Sequence, residues 1–134
     1  MISDKLYHYR AKLVSVYDGD TIVVDLDLGR GVWVKDEKIR LRGIDTPERR
    51  SKDAQEKAAA YLAREALLDM LHGNDLIVET FIDKEEGKFG RLLGVVYVGE
   101  MNVNEAMIDR GWARKYDGGK RIPWVEWDKT ARNY

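Results

Sequence analysis

Three short pieces of this chain, far apart in sequence, each set charged groups beside a turn or a strand end. In Asp18-Gly19-Asp20-Thr21 an aspartate could ligate a hard cation, because Mg²⁺ and Ca²⁺ prefer carboxylate oxygens. The same tetrapeptide also reads as a plain hairpin turn, with Gly19 free to take positive φ. In Asp45-Thr46-Pro47-Glu48, Asp45 is a second candidate ligand, and Glu48 could accept a proton from a water or orient it. The bland alternative there is an Asx turn before proline. In Lys88-Phe89-Gly90-Arg91, Arg91 opens a strand after a glycine, where its planar fork could grip two phosphate oxygens and Lys88 could help attract them. A solvated charge at a β-turn is the competing reading. Arg40 supplies a second guanidinium, five residues before Asp45 and so at most roughly 17 Å from it along the chain. Taken together these are the parts that phosphodiester hydrolysis needs. Two carboxylates suit a divalent cation, one glutamate suits a water, and two arginines suit charge growing on a pentavalent phosphoryl group.

Such parts work only if the fold gathers them. Tyr7 to Tyr17 is rich in aromatic and β-branched residues and Thr21 to Leu28 alternates apolar and polar ones, which with the turn between them predicts a hairpin. A third strand is expected over Val32 to Val34 and Glu37 to Ile44, bent near Lys35-Asp36, with Arg40 and Arg42 on one face. Pro47 then removes a backbone donor and stops the ladder. The period next changes to 3.6: a helix capped by Ser51 or Asp53 should run to about His72, with Gly73 just past its end. Ala59, Ala60, Ala63, Leu67, Met70 and Leu71 share one face of it, small enough at the start to lie close against a sheet. Asp75 to Ile82 and Arg91 to Val98 read as the fourth and fifth strands. Asn102 is the expected cap of a short helix, with Glu105 three residues on and Gly111 ending it. The tail from Trp112 is basic and aromatic, and Pro123 could open a last turn containing Trp124 and Trp127. This order of elements is that of an α+β OB-type barrel, five strands with two to three packed helices.

Composition narrows the choices further. The 134 residues suit one domain, and 44% hydrophobic with 35% charged residues suits a globular fold. Without cysteine and with two histidines, thiolate and multi-histidine metal sites are excluded. The net charge of −1 is not that of a strongly basic nucleic-acid reader. Its distribution is uneven, however, with Arg110, Arg114, Lys115, Lys120 and Arg121 in one stretch against Asp117. No segment near the start has signal-peptide form and no run approaches a membrane span. A cytoplasmic monomer is therefore expected, or a secreted protein if a leader has been removed.

The quoted motifs, with Gly90-Arg91 and Asn104-Glu105-Ala106 through Gly111, occur in the order and approximate spacing of the thermonuclease (staphylococcal-nuclease-like) family, which the chain resembles from about Val14 to Ala113. The resemblance implies an OB-fold barrel and a Ca²⁺-dependent nuclease acting on DNA and RNA, leaving 5′-hydroxyl and 3′-phosphate ends. By motif, Asp20, Asp45 and the carbonyl of Thr46 correspond to calcium ligands, Glu48 to the water-orienting carboxylate, and Arg40 and Arg91 to the phosphate-clamping arginines. The chain departs from the secreted prototype in three places. The loop between Glu48 and Glu56 is shorter, Phe89 replaces a tyrosine, and the likeness fades beyond Trp112. Because the implied groups all address phosphate, low sequence preference and a bias toward single-stranded or flexible substrate are expected. Tyr116 could stack on a base or pack on the closing helix, whereas Trp112, Trp124 and Trp127 read as packing. The rival functions are a non-catalytic OB module that binds nucleic acid or protein, and a domain that uses Ca²⁺ only as a fold staple.

Overall fold

The computed structural model describes residues 6–82 and 92–127. β1 (His8–Asp18), β2 (Thr21–Gly29) and β3 (Val32–Leu41) form an antiparallel meander. Alternation sets its faces: Ile22, Val24 and Leu26 are buried, while Val23, Asp25 and Asp27 between them are half-buried on the outer side. The expected bend in β3 falls at Asp36, whose φ is +54. Its N–H donates to Asp25 Oδ1 at 2.9 Å, so the extra residue opposite β2 is accommodated as a bulge.

β5 (Leu76–Ile82) pairs antiparallel with β1, and β6 (Leu92–Val98) pairs antiparallel with β5. β6 also runs parallel to β3, Ile39–Leu41 against Leu92–Gly94, and this pairing closes a five-stranded mixed barrel. Ile22, Val24, Ile39, Leu41, Leu76, Val78 and Val96 fill it, each at most 1% exposed, and each worth about 1.5–3 kcal/mol of burial. Closure depends on Gly94. A Cβ there would lie 2.5 Å from Ile39 Cγ2 and 3.1 Å from Val78 Cγ1, so only glycine lets the strands meet.

α1 (Ala54–Leu71) lies against β1. Asp53 is its cap, Oδ1 accepting from the N–H groups of Gln55 and Glu56, an arrangement worth about 1 kcal/mol. Ser51, the other candidate cap, instead accepts from Asp53 N–H. All six residues of the anticipated helix face are buried. α2 (Val103–Asp109) follows the two-residue β7 (Met101–Asn102) and is capped by Asn102, which accepts from Glu105 N–H at 3.1 Å. The tail passes through β8 (Arg114–Lys115) to a single 3₁₀ turn, Trp124–Glu126. There Trp124 and Trp127 pack on Ala59 of α1, in the packing role the sequence suggests. Among the described residues no helix is long and apolar enough to cross a membrane.

Two local expectations require correction. β3 ends at Leu41 rather than Ile44, because Gly43 takes φ +82 and turns the chain. Ile44–Asp45 then form a separate strand, β4, paired with β8. Gly19, moreover, is not in the left-handed region. It is glycine for want of space, since a Cβ would lie 2.9 Å from both Ala63 Cβ and Thr46 Cγ2.

Candidate active site

That close approach of Gly19 draws the β1–β2 turn onto the loop after β4. Asp20 is buried there, and its Oδ2 accepts from the Thr46 hydroxyl at 2.9 Å and the Thr46 N–H at 3.3 Å. Its carbonyl accepts from Leu41 N–H at 2.7 Å. Two segments 26 residues apart are thus tied through one aspartate.

Arg40, near the end of β3, projects toward the same point with its side chain 15% exposed. One terminal nitrogen lies 3.0 Å from Asp20 Oδ2 and the other 3.8 Å from Asp45 Oδ1. Asp45 is held by β4–β8 pairing, opposite Arg114. The approach to β4 is pinned by Asn104 of α2. This buried side chain donates to the Arg42 and Gly94 carbonyls, both at 2.9 Å, and accepts from Val96 N–H at 3.1 Å. Arg42 stacks on Phe81 with its guanidinium 4.2 Å from the ring centre. Burial pushes the Asp45 carboxyl above its ordinary range. Arg121 pulls it down, Asp20 raises it again, and Arg40 lowers it.

Arg121 is the functional-site residue that the sequence reading missed. Its Nε donates to Asp45 Oδ2 at 2.8 Å, one terminal nitrogen to Glu48 Oε2 at 3.0 Å, and the other to the Thr46 carbonyl at 3.1 Å. Burial works against its charge, but the hydrogen bond and attraction to Asp45, with help from Glu48, outweigh that and push its pKa up. The one available signal was its place in the basic stretch 110–121, which carries no hint of a target. Glu48 is more exposed than its neighbours, and Glu56 of α1 accepts its N–H at 2.9 Å. Asp18, part of the first motif, lies beside Asp20. Burial and the adjacent Asp20 carboxylate push it from 3.8 up to about 7.

The fold therefore brings together Asp20, Arg40, Asp45, Thr46 and Glu48, drawn from the hairpin turn and the segment after β3. Tyr116 stands beside them, half-buried, its ring centre 6.0 Å from the Arg40 guanidinium. Its hydroxyl donates to the Gly119 carbonyl at 2.7 Å. Lys88 and Arg91 lie outside the described residues.

The donor set fits a hard cation. Asp20 and Asp45 are buried carboxylates, the Thr46 carbonyl shares the Arg121 guanidinium with Asp45, and burial makes ionised Asp45 dependent on positive charge. Among the described residues no three Asp, Glu, His or Cys side chains form a metal cluster. A cation here would thus draw on two carboxylates and one carbonyl, with water or substrate oxygens completing its shell.

A family model described as staphylococcal nuclease homologue matches residues 38–133. A protein of Oryza sativa subsp. japonica named probable staphylococcal-like nuclease CAN1 is 35% identical over 78% of this chain and 29% of its own length. The micrococcal nuclease of Shigella flexneri is 32% identical over 92% of this chain and 70% of its own. For the thermonuclease of Staphylococcus hyicus the figures are 32%, 77% and 57%. The chain spans under a third of the rice relative and over two thirds of the Shigella one.

Proposed function

This chain belongs to the family of staphylococcal nuclease homologues, and on that premise we propose that it is a Ca²⁺-dependent nuclease. It would hydrolyse phosphodiester bonds of DNA and RNA with little sequence preference and leave 5′-hydroxyl and 3′-phosphate ends. The observation that carries the proposal is the meeting of Asp20, Arg40 and Asp45, with Arg40 within 3.0 Å and 3.8 Å of the two carboxylates. Asp20, Asp45 and the Thr46 carbonyl would hold the cation, whose chemistry when bound is to polarise a phosphoryl oxygen. Arg40, fixed on a strand, would meet negative charge as it grows in the transition state. Glu48, 47% exposed, has access to solvent and would orient a water toward phosphorus, taking its proton as the P–O bond forms. As the P–O5′ bond breaks, the leaving oxygen would take a proton from solvent and depart as the 5′-hydroxyl. Arg91 is proposed, from its motif, as the second clamp on phosphate, with Lys88 aiding attraction. Since phosphate carries no base identity, sequence should matter little, and single-stranded or flexible segments are the proposed substrate.

Incubation of supercoiled plasmid, single-stranded DNA and RNA with the full chain, in Ca²⁺ and in chelator, tests this reading. Ca²⁺-dependent cleavage with 3′-phosphate termini is expected. Binding without cutting would instead establish the non-catalytic module. A calcium-raised melting temperature with neither binding nor cutting would leave the ion as a fold staple.

A further inference from the structure

Arg121 satisfies three oxygens with one side chain: Asp45 Oδ2, the Thr46 carbonyl and Glu48 Oε2. Two of them belong to the cation's donor set and the third to the carboxylate assigned to water. We propose that the Arg121 guanidinium is a built-in occupant of the cation seat, which holds these oxygens in place and leaves as a divalent ion enters. This rests on the cation reading above.

Charge supports exchange over coexistence. Asp45 is shared between Arg40 and Arg121, and Glu48 is paired with Arg121. A dication entering beside Arg121 would set like charges on the same oxygens, whereas exchange removes that repulsion. The two arginines are built for different fates. Arg40 is 15% exposed on a strand inside the barrel ladder. Arg121 is 40% exposed, and it follows a loop shaped by Gly118 at φ +92 and by Gly119 N–H donating to Asp117 Oδ1 at 3.0 Å.

The tail is anchored on both sides of that loop, so the guanidinium can depart without releasing the chain. On one side Tyr116 N–H donates to the Gly43 carbonyl at 2.9 Å. On the other, Trp124 and Trp127 are buried against Ala59, and the Trp127 indole N–H donates to the Ile122 carbonyl at 2.9 Å. The arginine is therefore held at high effective concentration, and Ca²⁺ must compete with it.

Calorimetric titration of Ca²⁺ into the full chain, without nucleic acid and at fixed ionic strength, tests the competition. Arg121→Gln should bind Ca²⁺ about tenfold more tightly than the unaltered protein, with Arg121→Lys between them. In the unaltered protein, the Arg121 Nε–H resonance, assigned by through-bond correlation to its own side-chain carbons, should shift in step with calorimetric saturation. Equal or weaker binding by a folded Arg121→Gln protein would overturn the proposal and leave the nuclease reading standing. If that variant does not fold, a resonance that stays put through saturation would overturn it alone. Binding by neither protein would remove the cation reading and this proposal together.

Discussion

Two guanidiniums meet at Asp45 from opposite kinds of structure, Arg40 reaching on to Asp20 and Arg121 to Glu48. Arg40 arrives on β3, whose neighbours β2 and β6 fix it on both sides. Arg121 arrives from a tail whose described part ends in one 3₁₀ turn. The contrast teaches that contact distance does not define role. Both arginines lie about as close to a carboxylate, 3.0 Å and 2.8 Å, yet only the strand-borne one is held by paired strands on both sides. A group meant to stabilise a transition state must be preorganised, whereas a group meant to yield must be tethered and replaceable.

The sharpest way to break this comparison is to remove the strand-borne group. Arg40→Ala should lower kcat at saturating Ca²⁺ by about 10³-fold, the scale of losing one preorganised transition-state donor. A loss confined to KM, with kcat intact, would move Arg40 from chemistry to binding.

Next in size is the pin behind the strand region. Asn104→Ala would take the side-chain partner from the Val96 N–H and the Arg42 carbonyl, while the Gly94 carbonyl would keep the Arg42 N–H at 2.8 Å. A destabilisation of about 2–3 kcal/mol follows from burying such groups unsatisfied, measurable by urea unfolding. A cost under about 0.5 kcal/mol would mean that water or a backbone shift replaces the amide, and that Asp45 is not held rigidly after all.

These two residues also mark what the sequence could and could not reveal. The hairpins and α1 were legible because their signals are local: alternation in Ile22, Val24 and Leu26, small residues at Ala59, Ala60 and Ala63, a cap at Asp53. Gly19 was legible as special but for the wrong reason, since its constraint comes from Thr46 and Ala63. β4 was folded into β3 because its partner, Arg114–Lys115, lies about half the chain away. Arg121 was invisible for the same reason, standing 76 positions along the chain from Asp45. Asn104 belonged to a recognisable motif, but its three hydrogen bonds exist only once the barrel closes.

A subtler difference separates the carboxylates. Asp20 and Asp45 each have a guanidinium, while Asp18 sits against Asp20. With a native pKa of about 7 against an ordinary 3.8, Asp18 holds a proton when folded that the unfolded chain has released between those values. Its contribution to stability therefore falls as pH rises from about 4 to about 7. Asp18→Asn should flatten that part of the stability–pH curve and raise Tm at pH 7.5 in the absence of Ca²⁺. An unaltered slope in thermal melts across the range would show that Asp18 titrates normally.

The smallest expected effect probes the tail itself. The Tyr116 hydroxyl donates to the Gly119 carbonyl at 2.7 Å, two residues before Arg121, while its ring faces Arg40 at 6.0 Å. Tyr116→Phe keeps the ring and deletes the hydroxyl, which separates the two roles the residue could have. If the hydroxyl shapes the loop that presents Arg121, its loss should cost under about 1 kcal/mol of stability and tighten Ca²⁺ binding about twofold, because the tethered competitor is held less well. If the ring stacks on a base, Tyr116→Ala should raise KM for single-stranded DNA about fivefold or more, as one base–aromatic contact predicts, and Tyr116→Phe should not. Equal Ca²⁺ affinity in Tyr116→Phe and the unaltered protein would mean the loop is fixed without this bond, and that the two anchors of the tail alone decide how firmly Arg121 sits.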